Sequence, residues 1–457
     1  MVARLITGMK AMSAQDFFRT LIEAQKRGDP QGIYSICSAH PRVVAAAMVQ
    51  AKTDGLPFLI ESTVNQVNQF GGYTGMTPAG FRDFVYTVAD RIAFPWKRIV
   101  FGGDHLGPYP WRKEPAEQAI QKACDLIAAC VKAGYTKIHL DASMPLGGDP
   151  VDRHGGLDPA LMARREARMA AAAEAAFRES ERAGRTDSGG SPPLYVIGTD
   201  VPPPGGIQVE EQATQITQVS DFEETIATCR QAFDDAGLQD AWQRVIAVVV
   251  QPGVEFGDHV VCEYDRSEAE ELILAARKHS QLVLEGHSTD YQSPELLRQL
   301  VEDGIAILKV GPALTFAMRE CLFALESIEK ELLGWTYKAR LSQLDMFLDK
   351  AMRDNPEHWQ SYYTGSAEEV CLSLKYSLSD RSRYYWQVPM VKDAVNLLLR
   401  NMKQVNIPLT LLSQYLPRQY LEIREGRLTA NPEDLIEASI RMILQDYSMA
   451  VRPKNRH

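Results

Sequence analysis

Eight short runs of apolar, largely β-branched residues recur along the chain, and each ends in a burst of glycine and polar residues. They are GIYSICSAH (32–40), PFLIESTVNQ (57–66), RIVFGGDHLGP (98–108), KIHLDASM (137–144), LYVIGTDVPPPGG (194–206), RVIAVVVQPGVE (244–255), LVLEGHSTD (282–290) and IAILKVGP (305–312). Near-continuous apolar runs of this length fit strands buried on both faces of a parallel sheet. Helical periodicity separates them. In TPAGFRDFVYTVADRI, Phe81, Phe84, Val85, Val88 and Ile92 share one face, with Thr77 as N-cap and Pro78 at the first helical position. Segments 114–133, 158–183, 220–237, 267–279, 294–303 and 314–333 read the same way. Eight alternations close a ring, so the expected fold is α/β, a TIM (β/α)8 barrel with a C-terminal helical extension. A doubly wound open sheet is the alternative. The expected division is 1–334 for the barrel with an N-terminal helix and 335–457 for helices packed on it.

Composition narrows the class of molecule. Apolar residues make up 45% and charged residues 24%, the balance of a folded globular chain. A net charge of −10 argues against binding to nucleic acid or an anionic membrane, both of which need a basic surface. Seven cysteines with no C-x-x-C among them read as reduced, mostly buried small apolar side chains. The start lacks an apolar core with a cleavage site, and the longest apolar stretch, Val245–Val250, cannot span a bilayer, so a cytoplasmic protein is expected. Homo-oligomerisation stays open.

Strand C-termini form the active face of such a barrel. Here they carry Cys37, Ser38 and His40; Glu61 and Asn65; Asp104 and His105; Asp141; Asp200; Gln251 and Glu255; Glu285, His287, Ser288 and Asp290; and Lys309. Single members can be helix caps or interior ion pairs. As a set, so many ionisable groups are expensive to bury without a purpose. His105 and His287 beside carboxylates suit a divalent metal, Zn or Mn; a lone histidine at a strand end also serves as an oriented base. The Gly-rich loop 66–78 reads as a lid or a plain turn, and Pro202–Gly206 as a stiff arm with a hinge. Backbone N–H groups after Gly311, and Arg381 and Arg383 in SLSDRSRYYW, are candidate holders of a sugar phosphate. No G-x-x-x-x-G-K-[ST] loop occurs, and no nucleotide cofactor is expected.

The strings SICSAHP, ESTVNQVNQFGGYTGMTP, GGDHLGP, KIHLDASM, VIGTDVPPPGG, VVQPGVEF, HSTDYQ, ILKVGPALTFAMRE, YSLSDRSRYYW and SQYLPRQY closely resemble the GatZ/KbaZ family. The resemblance runs from about residue 13 to about 445. It implies a TIM barrel that supports a separate class II D-tagatose-1,6-bisphosphate aldolase subunit in galactitol or N-acetylgalactosamine-type catabolism. Relatives include sugar or sugar-phosphate 4-epimerases, and the family has also been called tagatose-6-phosphate kinase. Asp200 departs from the Glu expected after the fifth strand, one methylene shorter. The expected roles are His105, His287 and Asp200 toward a metal, and Asp104, Asp141, Glu255, Glu285 and Lys309 in acid–base or ligand work. Glu61, Asn65, Ser288, Gly311, Arg381 and Arg383 are expected on the sugar phosphate. Retro-aldol chemistry followed by release of the fragments is an aldolase; re-addition of the aldehyde is a 4-epimerase.

Overall fold

The computed structural model describes residues 13–151, 156–184, 191–198, 215–335 and 340–453. Asp200, the arm 202–206 and most of the linker at 185–193 lie outside the described residues. Eight parallel strands close a barrel: β1 (Ile33–Ile36), β2 (Phe58–Thr63), β3 (Ile99–Leu106), β4 (Lys137–Leu140), β5 (Leu194–Ile197), β6 (Val245–Val250), β9 (Val283–Gly286) and β10 (Ile305–Val310), with β10 pairing back to β1. All eight apolar runs thus supply strands of one sheet. The sixth run breaks after Val250 and continues as a small antiparallel hairpin, β7 (Glu255–Phe256) with β8 (Val261–Cys262).

The wall helices follow the expected segments: α2 (Pro41–Asp54), α3 (Pro78–Arg91), α4 (Ala116–Lys132), α5 (Pro159–Arg182), α6 (Val219–Asp235), the short α7 (Gln239–Trp242), α8 (Glu270–Ala276), α9 (Pro294–Glu302) and α10 (Pro312–Leu333). The Thr77 side chain caps α3 by accepting the Gly80 N–H at 3.2 Å. After them come α11 (Leu344–Asp354), α12 (Ala367–Tyr376), a 3-10 turn at Arg381–Tyr384, α13 (Pro389–Lys403), α14 (Leu409–Tyr415), α15 (Pro417–Arg424) and α16 (Pro432–Val451). These helices do not stand apart from the barrel. The last of them, α16, packs against α9, α2 and α10 and reaches β1, so it fills the wall between α9 and α2.

Inside the ring, alternate residues of each strand form layers. Helix α1 (Ala14–Lys26) plugs the N-terminal end, where Phe18, Leu21 and Ile22 meet Ile33, Leu59, Val100, Leu194, Ile246, Val283 and Ile307. The next layer is charged. Lys137 Nζ bridges Glu61 and Glu285 at 2.7 Å each, and all three side chains are fully buried. Gly102 leaves the room: a Cβ there would stand 2.7 Å from Glu61 Cγ. The histidines and aspartates lie above this layer, toward the strand C-termini.

Candidate functional site

Strand β3 ends irregularly. Its register against β4 shifts between Gly103 and Leu106, and His105 takes a left-handed φ of 46°. The shift breaks the alternation, so Asp104 and His105 both reach the mouth although they are neighbours in sequence. Ser288, just after β9, is also left-handed at φ 52°. Such strained non-glycine residues gather where a site over-determines the backbone.

Four side chains converge at the centre. One ligand atom from each of Asp104, His139, Glu285 and His287 lies within 4.8 Å of all the others, and all four residues are buried. His139 Nδ1 stands 3.3 Å from Asp104 Oδ1, and His287 Nε2 stands 3.2 Å from Glu285 Oε1 and 3.8 Å from Asp104 Oδ1. Each imidazole has its second nitrogen on an outer partner. His139 Nε2 lies 2.9 Å from the Gly198 carbonyl; His287 Nδ1 lies 3.1 Å from His105 Nε2, whose Nδ1 meets Asp141 Oδ2 at 2.7 Å. Donation outward at Nε2 of His139 and Nδ1 of His287 turns the other nitrogen of each ring inward, where His139 Nδ1 also accepts the His105 backbone N–H at 3.1 Å. That is the outer hydrogen-bonding pattern of metal-ligating histidines. Two imidazole nitrogens and two carboxylates are a donor set that fits a divalent cation.

The charges agree. Burial works against ionisation of Asp104, yet Lys309 and His105 hold its carboxyl well below the usual range. Glu285 is held down in the same way by Lys137 and Lys309. Burial drives His287 down to about 3, so its ring is neutral and able to donate a lone pair. Burial would also lower His105, but Asp104 and Asp141 carry it above its ordinary value. Lys309 Nζ sits 2.8 Å from Asp104 and 3.3 Å from Glu285 and pairs with Glu61; its pKa is raised well above normal. It is a fixed ammonium that neutralises the carboxylates, not a free amine.

The other sequence candidates divide. Glu255 opens the β7–β8 hairpin, fully buried. Its Oε1 accepts its neighbour's N–H, Phe256, at 2.9 Å and its Oε2 has no hydrogen-bond partner; burial pushes it up to about 7, and it touches Ser288. Glu61 belongs to the ion layer below. Asn65 is half-buried, and its carbonyl accepts the Tyr73 N–H at 2.9 Å. Of the two readings of His40 the helix cap holds: its side chain caps α2 by accepting the Arg42 N–H. One expectation needs correction. The N–H groups of Gly311 and Ala313 are not free for phosphate, because Asp290 Oδ1 accepts them at 3.0 and 2.8 Å. The loop after β2 is an internally bonded turn. Asn68 Oδ1 accepts the N–H groups of Phe70 and Gly72, and Thr74 Oγ1 donates to the Gln66 carbonyl at 2.6 Å. Its Gly72 is there for close approach, since a Cβ would stand 2.4 Å from that carbonyl.

Arg381 and Arg383 ride on a segment held over the mouth. The Leu378 carbonyl accepts Tyr291 Oη at 2.5 Å, Asp258 Oδ1 accepts Ser377 Oγ at 2.7 Å, and Tyr73 meets the Tyr384 ring edge-on at 4.7 Å. Sequence reading at the strand ends passed over His139. Lys137, His139 and Asp141 alternate with Ile138 and Leu140, and that period of two is the signal that places His139 inside the ring.

The chain is similar to known proteins over nearly its whole length. The family model described as D-tagatose-1,6-bisphosphate aldolase subunit GatZ/KbaZ-like matches residues 18–452. Relatives named D-tagatose-1,6-bisphosphate aldolase subunit GatZ are 45% identical in Escherichia coli SMS-3-5, over 94% of this chain and 98% of theirs, and 44% identical in Salmonella heidelberg, over 95% and 99%. A crystal structure from Sinorhizobium meliloti 1021, named a probable tagatose 6 phosphate kinase, superposes with a TM-score of 0.82 at 45% identity, over 92% of this chain and all of that one. With barrel, strand-end motifs and nearly full-length relatives in agreement, the chain belongs to the D-tagatose-1,6-bisphosphate aldolase subunit GatZ/KbaZ-like family.

Proposed function

We propose that this chain is a cytoplasmic GatZ/KbaZ-type component of D-tagatose-1,6-bisphosphate aldolase, working with a class II catalytic subunit in galactitol or N-acetylgalactosamine-type catabolism. We further propose that its own barrel mouth is a ketose site holding Zn or Mn. The observation that carries the second part is the convergence of Asp104, His139, Glu285 and His287. These four would hold the ion, with His105 as the outer partner that orients His287 and Asp141 orienting His105 in turn. A divalent cation bound there supplies Lewis acidity to a ketose carbonyl.

The protein's own groups do the rest. Glu255, with a bare Oε2 and a carboxyl near neutrality, is placed to take a hydroxyl proton and return it. Loss of the C4 hydroxyl proton opens the C3–C4 bond to an enediolate and an aldehyde. Lys309 and Lys137 keep the carboxylates ionised while this happens. A second reading, a ketose or ketose-phosphate 4-epimerase, is favoured by how closed the mouth is: Asp104, His105 and His287 are 5%, 8% and 6% exposed. A closed site retains the aldehyde for re-addition. A kinase has no support in any nucleotide-binding motif.

The test is to incubate the purified protein alone, with and without Zn²⁺ or Mn²⁺, with tagatose 6-phosphate, tagatose 1,6-bisphosphate and ATP. Metal-dependent C4 epimer identifies the epimerase, cleavage only after adding a class II subunit identifies the supporting role, and ADP release identifies a kinase. In elemental analysis, H139A and H287A are expected to lose the metal, whereas H105A retains it with affinity lowered about 10–100-fold. Loss of metal in H105A with retention in H139A would return His105 to direct ligation.

A further inference from the structure

Two buried side chains on the turn that follows β6 end in atoms with no hydrogen-bond partner among the described residues, Gln251 Nε2 and Glu255 Oε2. In each, the other terminal atom is pinned to a backbone N–H: Gln251 Oε1 accepts Gly253 at 2.9 Å, and Glu255 Oε1 accepts Phe256 at 2.9 Å. The pin decides which atom is left over, so Gln251 has only a donor to offer. Its backbone is held as well. The Gln251 N–H donates to Thr217 Oγ1 at 2.8 Å, and its carbonyl accepts the Thr217 N–H at 2.9 Å. Gln251 is 2% exposed and Glu255 fully buried. An amide donor left unmade at that depth is costly, and such a group calls for a partner.

The strand places this donor at the site. Val249 belongs to the interior layer and stands opposite Glu285, with Val250 opposite Gly286. One further alternation gives Gln251 the inward position level with His287. Gly253, at φ 95°, then turns the chain so that Glu255 comes up at the head of the β7–β8 hairpin. A bare donor and a bare acceptor on one short turn beside the imidazoles match a hydroxyl, which accepts with its oxygen and donates with its hydrogen. An anionic group would satisfy Gln251 but set its charge against the Glu255 carboxyl.

We propose, resting on the ketose reading above, that Gln251 reads the reacting hydroxyl of the sugar: its Nε2 donates to the C4 oxygen whose proton Glu255 takes. As that proton passes to Glu255 Oε2, the O–H electron pair stays on oxygen and becomes the second bond of the aldehyde, while the C3–C4 pair passes to the enediolate. The Nε2 donor supports the negative charge that builds on the oxygen during this step. Selectivity follows from the same contact. A ketose without an oxygen at C4 leaves both buried atoms bare, and sites built this way reject such analogues strongly.

Isothermal titration of the metal-loaded full-length protein with tagatose 6-phosphate and with its 4-deoxy analogue tests this. The parent is expected to bind the 4-deoxy sugar about 100-fold more weakly, and Q251M to lower that preference about tenfold. Q251E keeps the length and the Gly253 contact but puts an oxygen where the donor was. It is expected to lose the preference as fully as Q251M at the Tm of the parent, so it carries the test if Q251M melts early. An unchanged preference in either variant at parental Tm overturns the proposal and leaves Nε2 to a bound water. A parent that binds both sugars equally overturns it too, with the ketose reading intact. Failure of the ketose reading shows separately: neither sugar binds the parent with Zn²⁺ or Mn²⁺, and the role of Gln251 falls with it.

Discussion

Glu255 illustrates how one buried carboxyl ties pH to both stability and chemistry. Its pKa is raised from 4.5 to about 7 by burial, so the folded protein holds this proton where the unfolded chain releases it. The sign follows: the contribution is fully present below about pH 4.5 and is lost as pH rises through 7. At ~1.4 kcal/mol per pKa unit, the full swing amounts to about 3–4 kcal/mol. Denaturant melts at pH 5 and pH 7.5 are expected to show E255Q losing less stability than the parent between the two. If Glu255 is the proton carrier, E255Q also loses the limb of the rate profile near pH 7; parallel profiles in parent and variant would remove it from the reaction. The ion layer beneath behaves differently. Lys137 is sandwiched between two carboxylates with nowhere to relax, so K137M, which leaves Glu61 and Glu285 with Lys309 as their one remaining ammonium, is expected to destabilise by about 3 kcal/mol. The chain shows these charges openly, yet it does not show which of them pair. Glu61 and Glu285 read as site residues because they end strands, and only the closed ring reveals that Lys137 lies between them, so that Glu285 faces the ion layer with Oε2 and His287 with Oε1.

At the scale of elements, the eight strands were legible because burial on both faces leaves an unbroken apolar signature, and each strand end was marked by its polar burst. The hairpin β7–β8 was not, since strands of two residues are too short to display alternation. The place of α16 was hidden for another reason: a helical pattern reports which residues are apolar, not which neighbour they meet. In the fold, Leu435, Ile436, Ile440, Leu444 and Tyr447 are buried, and the Tyr447 hydroxyl donates to the Thr289 carbonyl at 2.8 Å. Thr289 lies two residues after His287, so the last helix of the chain props the loop that carries a central imidazole. Two measurements separate packing from propping. L444A is expected to cost about 2–5 kcal/mol through the cavity it leaves, read by denaturant unfolding. Y447F removes one hydrogen bond worth about 1 kcal/mol, and its expected mark is weakened metal retention at nearly unchanged Tm. Equal metal affinity in Y447F and the parent would reduce α16 to a wall element.

For the whole molecule, the family role and the interior site make different demands on different surfaces. Supporting a class II aldolase needs an outer face that a partner can grip, whereas ketose chemistry needs the ring's interior, where His287 is 6% exposed and enclosed by His105, Asp104 and Glu285. Nothing buried at that depth can touch a partner subunit directly. H287A therefore separates the two roles in one experiment. Co-expressed with a class II catalytic subunit, both the parent and H287A are expected to co-elute with it on gel filtration and to raise its thermal stability equally. Only the parent should turn over ketose phosphate when purified alone with metal. If H287A also loses the ability to stabilise the partner while keeping its own Tm, the interior and the docking face are one cooperative unit, and metal loading of this chain governs assembly. If the parent alone shows no turnover with either metal, the buried histidines and carboxylates serve the stability of the complex, and the role of this barrel is support throughout.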